Sequence, residues 1–456
     1  MSVRAPGCWP RGSARWSIRS RSTPTSRWLA TGAANETPRT LVVRSAREPV
    51  AVVGAGVKAP GGLAVADLWT SVCAARSTAE PYTDARFPPD ARVLVSRVVG
   101  FDPAGYLTPV ERRRFDRAHQ LAIGAAQDAL DGCGPGLPPP DRCAVVCGVG
   151  LGSAAAHEDQ YRRLFESGLK GISPLAIPIL MPSAAASLLS LRFGFTGPCL
   201  TVSTACASGA TAIAEGVELL RRGAADLVVA GGCDSLITFS ALAGFIRLDV
   251  MSRHVEAPDL ASRPFDEQRD GFVMGEGAGF MVLQRGPDAA SSGRRVLGWV
   301  LGHVSTADAF NLVSPSVGGE GALACMRGAL ADAGVHASDL SHVNAHGTST
   351  VHGDLSEGRA LTALFAGVGP PVTAMKGTTG HLVAGSGAVE AILTLKSLAD
   401  RILPPVAGLR QVDRRIDLDV VRSEPRAIGP GPGLSNSFGF GGLNTALVLS
   451  AESGGR

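Results

Sequence analysis

The sequence predicts an α/β fold made of two similar units, and three observations carry that expectation. Short apolar runs, each about the length of a buried strand, recur along the chain. Between them lie amphipathic or small-residue stretches closed by glycine, the pattern of helices. The alternation runs through twice, with a change of composition near Ser291-Ser-Gly-Arg, which argues for layered sheets and helices rather than separate classes of structure.

With 456 residues, 45% apolar and 18% charged, the chain has room for such layers and belongs with globular proteins. A net charge of +3 gives no case for nucleic acid, and no apolar run reaches the length of a membrane span. The nine cysteines form no C-x-x-C pair and cannot all pair with one another. A reducing compartment, the cytoplasm, is the expectation. Only Lys58, Lys170, Lys376 and Lys396 are lysines among 43 basic residues, so each lysine is conspicuous while arginine counts reflect coding bias.

Residues 1–46 carry eight arginines and Glu36 as their single acid. They are expected to be a disordered basic tail, an organellar transit peptide being the alternative. Two halves should follow, 47–290 and 291–451. The first opens on Pro49-Val-Ala-Val-Val-Gly54-Ala-Gly56, read as a strand entering a glycine turn. The pattern lacks the third glycine of a dinucleotide loop, as does Gly148-Val-Gly150-Leu-Gly152. Thr108 to Asp131 reads as one helix with a small-residue face (Phe115, Ala118, Ala122, Ala125, Ala129) and with Arg112, Arg113 and Arg114 in its first turn. There they oppose the helix dipole and either meet an anion or form a solvated face.

Leu200 to Val202 is an apolar strand that turns through Ser203-Thr-Ala-Cys206-Ala-Ser-Gly into a helix ending at Gly223. Cys206 then sits near a helix N-terminus, whose unpaired N–H groups favour a thiolate. Strands follow at Asp226 to Gly232 and Phe280 to Leu283. The second half begins with a strand at Val296, a helix from Gly321 to Ala333 and the strand His342 to Asn344. It ends with a helix from Ala388 to Ala399 and a strand from Ala446 to Leu449.

The second half also supplies candidate bases. His346, in Asn344-Ala-His-Gly-Thr348-Ser-Thr350, follows a strand directly, where open α/β sheets bind ligands. His381 stands in Lys376-Gly-Thr-Thr-Gly-His-Leu-Val-Ala-Gly-Ser-Gly-Ala-Val-Glu390, just before a helix.

Taken together, these stretches resemble the β-ketoacyl-acyl-carrier-protein synthases from about Glu48 to Ser450. The likeness rests on TACASG around Cys206, HGTST with GDLSE after it (Asp354, Glu357), K-x4-GH with Glu390, and Asn436-Ser-Phe-Gly-Phe-Gly-Gly442, in that order. The resemblance implies the thiolase-like fold of two fused αβαβα halves, and a dimer. It also implies an acyltransferase that condenses an acyl thioester on Cys206 with a malonyl carrier protein. The backbone N–H groups of Cys206 and Phe440 would hold the oxyanion, and His346 and His381 would act as neutral donors. Lys376 and Glu390 would pair beside them. Phe438, Gly439, Phe440 and Gly441 would form a gate, Thr348 and Thr350 would bind pantetheine, and Leu151 would face the acyl chain.

No resident cofactor or metal is implied, since phosphopantetheine arrives on the carrier. Arg112, Arg113, Arg114 and Arg247 are candidate contacts for that acidic partner. Leu443 in place of threonine and KGTTGH in place of KSxxGH depart from the family pattern, and point to a type II polyketide or other specialised pathway over housekeeping fatty-acid elongation. A non-catalytic chain-length partner would lack the cysteine. Thiolases and chalcone-synthase-like enzymes use other triads than one cysteine with two histidines. Homodimer and heterodimer remain open.

Overall fold

The computed structural model describes residues 48–88 and 91–451. The basic segment 1–46 and the expected start at 47 lie outside the described residues.

Ten strands run in one hydrogen-bonded path. The first five are β1 (Val50–Lys58), β2 (Cys143–Val149), β3 (Cys199–Val202), β4 (Leu227–Ser235) and β5 (Met274–Arg285). The second five are β6 (Gly298–Ala307), β7 (His342–Asn344), β8 (Val372–Thr373), β9 (Gly433–Gly439) and β10 (Leu443–Ser450). Their order is β8-β7-β9-β10-β6-β1-β5-β4-β2-β3. Read outward from the β1–β6 junction, each half has the same succession and the same directions. The first strand pairs antiparallel with the fifth and the fifth antiparallel with the fourth, while the fourth, second and third run parallel.

Helices repeat in step. The first half has α1 (Arg117–Cys133), α2 (Ala184–Phe193) and α3 (Ser208–Arg221); the second has α4 (Glu320–Ala333), α5 (Val351–Phe365) and α6 (Ala384–Asp400). Strand alternation builds the layers. On β4, Val228 and Ala230 join α3 and α6 in one core, whereas Leu227 and Val229 pack with α1 and α2 in another. On β10, Leu447 and Leu449 face the α3–α6 layer, and Ala446 and Val448 face α4 and α5. Each valine or leucine so removed from water contributes about 1.5–3 kcal/mol. The result is helix, sheet, two central helices, sheet, helix, which is the fused αβαβα arrangement. No helix among the described residues is long and apolar enough to cross a membrane.

Several expectations need correction. Gly54 and Gly56 lie inside β1, not in a turn. A Cβ on Gly54 would sit 2.1 Å from the carbonyl oxygen of Ala129, and one on Gly56 2.1 Å from that of Ala125, so these glycines let the alanine face of α1 press onto the strand. The helix expected from Thr108 to Asp131 is broken. Pro109–Arg114 forms a short helix with a Thr108–Glu111 capping box, and Asp116 caps α1 by accepting the N–H of Ala118 at 3.0 Å and that of Ala156 at 2.8 Å. Arg112, Arg113 and Arg114 therefore occupy a last turn, where the dipole favours them. The glycine-rich run before Phe280 is already strand, and α6 begins at Ala384, four residues earlier than expected.

Candidate active site

Two equivalent turns, one per half, bring the reactive groups together. After β3 the chain passes through Ala205 with φ of 49°, a left-handed conformation uncommon for a residue with a side chain. Ser208 Oγ accepts the N–H of Thr204 at 2.9 Å and donates to the carbonyl of Ala205 at 2.6 Å, holding that bend. Cys206 follows in a 3₁₀ turn, Ala205–Ala207, that feeds α3. After β8, the matching turn runs through Lys376–Thr379 to His381, whose N–H donates to the carbonyl of Val273 at 2.8 Å, and enters α6 through Val383 with φ of 50°. The two central helices touch at their N-terminal ends, where a Cβ on Gly209 would lie 2.4 Å from the carbonyl oxygen of Ala384. That close approach sets Cys206 Sγ 3.0 Å from His381 Nε2.

His346 comes from the loop after β7. Glu357 of α5 accepts the N–H groups of His346 (2.8 Å) and Gly347 (2.9 Å), and Asn436 donates to the same carboxylate at 3.1 Å. The two imidazoles stand edge to face, their centroids 5.6 Å apart. Phe272 meets His381 edge-on at 5.3 Å, and Phe438 meets His346 at 6.0 Å. Both rings face a cavity of about 510 Å³ that Cys206, Leu151, Phe245, Thr348, Thr350 and Phe440 also line.

Lys376 is fully buried beneath these rings. Its ammonium donates to Glu390 Oε1 at 2.7 Å and to the carbonyl of His346. Asn344 completes the pair by donating to Glu390 Oε2 at 3.4 Å and to Ser435 Oγ at 3.2 Å. Burial, then the Lys376 charge, hold His346 and His381 well below the ordinary imidazole range, and for His346 the neighbouring His381 adds to it. Both rings are therefore neutral. Burial pushes the Glu390 carboxyl up against the opposing pull of Lys376.

The thiol departs from the expectation of a thiolate. Burial pushes Cys206 up to about 11, although the Lys376 charge and the backbone N–H groups of Phe440 and Cys206 act the other way. The helix terminus is present, and desolvation outweighs it. Those two N–H groups nevertheless converge on the sulfur, the arrangement an oxyanion needs.

Phe440 opens a short turn, Phe440–Gly442, in which Gly441 adopts φ of 81°, and its ring lies 6.4 Å from that of Phe245. Gly439, at the end of β9, abuts the Cys206 turn. The Thr348 and Thr350 hydroxyls are 2.9 Å apart, and Thr350 caps α5. Leu443 starts β10 opposite Gly439. At Gly377, the departure within KGTTGH, a Cβ would fall 2.4 Å from the carbonyl oxygen of Ala407.

Arg247 is exposed at the end of helix Phe239–Arg247, whose Phe245 lines the cavity. Arg112, Arg113 and Arg114 are exposed but do not line it. Sequence reasoning passed over Arg253, an exposed arginine at the cavity, and the buried Asp234. The latter accepts the N–H groups of Gly150 and Ala384, each at 3.0 Å, and so joins the two halves. It also assigned no role to Asn344, Asn436 and Ser386, although all three stand inside the quoted motifs.

Comparison with known proteins gives the family. The family model described as "Beta-ketoacyl synthase, N-terminal domain" matches residues 47–289, and "Beta-ketoacyl synthase, C-terminal domain" matches residues 297–410. The chain is 35% identical over 407 residues to a 3-oxoacyl-[acyl-carrier-protein] synthase 2 of Synechocystis sp., covering 88% of this chain and 98% of the relative. It is 34% identical over 409 residues to the protein of that name from Staphylococcus aureus, covering 89% and 99%. The solved structure "The ishigamide ketosynthase/chain length factor" superposes with a TM-score of 0.82 at 27% identity, covering 89% of this chain and 99% of the other.

Proposed function

Because the chain belongs to the beta-ketoacyl synthase family and is a condensing acyltransferase, we propose that Cys206 carries the acyl group and that His346 and His381 drive loss of carbon dioxide from a malonyl carrier protein. The observation that carries this assignment is the meeting of one thiol and two neutral imidazoles at a single cavity, with Sγ 3.0 Å from Nε2.

In the first half-reaction the sulfur adds to the acyl thioester carbonyl, and the N–H groups of Cys206 and Phe440 hold the oxyanion. The carrier's thiol leaves and takes the proton that Cys206 gives up. In the second, the malonyl thioester carbonyl accepts hydrogen bonds from the imidazoles. Its carboxylate leaves as carbon dioxide, and the resulting enolate carbon attacks the acyl group on Cys206. A carbon–carbon bond forms and the cysteine sulfur is expelled. Neutral donors suit a developing enolate, and burial, reinforced by repulsion from Lys376, keeps both rings uncharged. Thr348 and Thr350 would hold the pantetheine arm, with the Phe438-Gly-Phe-Gly441 turn as gate. This chemistry calls on no resident cofactor or metal.

Of the pathways, we favour a type II polyketide or other specialised one. Support comes from Leu443, paired with Gly439, and Gly377, packed against Ala407, both departures from the family pattern, and from the likeness to the ishigamide ketosynthase/chain length factor. Housekeeping fatty-acid elongation is the second reading, and the two synthases named above favour it. The edge strand β3 and the exposed apolar residues Phe165, Leu169, Ile177 and Leu191 support pairing with a second ketosynthase-like chain, identical or not.

The deciding experiment incubates the protein with a panel of acyl carriers and labelled malonyl carrier, reading mass on Cys206 and product length. An adduct with long saturated chains alone would move the assignment to fatty-acid elongation. No adduct with any carrier, on a folded protein, would leave only a chain-length scaffold.

A further inference from the structure

Both nitrogens of His381 are engaged, whereas Nδ1 of His346 is buried without a partner. Nε2 of His381 faces Cys206 Sγ, and Nδ1 lies 3.1 Å from Oγ of Ser386, a buried residue in the first turn of α6. The backbone nitrogen of Leu382 stands 2.9 Å from the same oxygen. An amide N–H only donates, so Ser386 Oγ accepts from Leu382. A hydroxyl has one hydrogen to give. No other acceptor stands within hydrogen-bond reach of Oγ among the described residues, so that hydrogen has one destination, the lone pair of Nδ1. A neutral imidazole that accepts at Nδ1 carries its proton on Nε2. The opposite tautomer would leave the serine hydrogen buried and unpaired, which carries the full desolvation penalty of that group.

We propose that Ser386 is a positioning residue that fixes His381 in its Nε2–H form, so that this ring enters the reaction as a donor and not as the base for the Cys206 thiol. The thiol proton then leaves with the departing carrier sulfur, thiol for thiol. The donor stands ready for the malonyl thioester carbonyl once the sulfur is acylated. The tautomer is a property of the resting protein; only its effect on carbon dioxide release rests on the condensation reading.

Neutron diffraction from deuterium-exchanged crystals of the unaltered protein tests the tautomer directly. Deuterium on Nε2, a bare Nδ1 and the serine deuterium pointing at Nδ1 are expected; deuterium on Nδ1 overturns the proposal. A second arm compares Ser386→Ala and Ser386→Thr at matched melting temperature. Alanine should slow carbon dioxide release from malonyl carrier about tenfold while acyl loading of Cys206 stays within about twofold, and threonine should restore most of the loss. Equal loss in both half-reactions, or no rescue by a well-folded threonine variant, counts against it. Unaltered protein inert toward malonyl carrier would sink the condensation reading, and the neutron map would still decide the tautomer.

Discussion

The turn carrying Cys206 and the turn carrying His381 occupy the same place in two copies of one topology, after the third strand and before the central helix of each half. Their supports differ. The sulfur meets the backbone N–H groups of Cys206 and Phe440, at a bend at Ala205 that the Ser208 hydroxyl ties down. The imidazole turn rests on the buried Lys376–Glu390–Asn344 network and, separately, on Ser386 beside the ring. Duplication explains where the groups meet. Burial, with the Lys376 charge of one copy added to it, is what keeps the two rings uncharged.

Removing the sulfur should break the comparison most completely. Cys206→Ala is expected to abolish the acyl adduct and condensation, while malonyl carrier still loses carbon dioxide because both rings stay in place. Intact-protein mass and gas release read the two halves separately, and joint loss of both activities in a folded variant would show that the turns do not work independently.

Next in size is the ion pair. Glu390→Ala strands a fully buried ammonium, and breaking such a pair costs about 3–5 kcal/mol. Cys206→Ser, on the backbone-supported side, should shift the melting temperature far less. Equal shifts would erase the contrast.

Acidity sharpens it further. The folded-state values of His346 and His381 lie below their unfolded values, so the unfolded chain binds more protons as pH drops below about 6.5. Their contribution to stability is complete above that pH and is lost progressively below it. Cys206 has the opposite sign: its folded value, about 11, lies above the unfolded one. Its contribution is complete below about 8.5 and is lost as pH rises toward 11. Denaturant melts at pH 5, 7.5 and 10 read both limbs. Alkylation of Cys206 by iodoacetamide should still be accelerating between pH 7 and 9; a plateau by pH 7 would restore the thiolate.

The smallest expected effect lies at the exposed end of the helix Phe239–Arg247. Charge reversal at Arg247 should weaken carrier association a few-fold at low salt and hardly at all at high salt. Salt-independent binding measured by titration would remove the patch.

How much of this was legible follows particular residues. Cys206, His346, His381, Lys376 and Glu390 were readable as candidates because the chemistry proposed for them rests on residue type within a local motif. The break at Phe115-Asp116 was not, since the cap that ends the helical pattern also ties down Ala156, forty residues away. Ser386 was in plain view and carried no signal, because a serine near a helix start is ordinary until a ring nitrogen is found beside it.

The sequence by itself determined the twofold alternation of strands and helices and the candidates for the reacting groups, because periodicity and side-chain chemistry are local properties. Tertiary structure alone decided the distance between sulfur and imidazole, the protonated state of the thiol and the proton's place on His381. Each of these depends on how much water is excluded and on which atoms from distant parts of the chain lie within 3 or 4 Å.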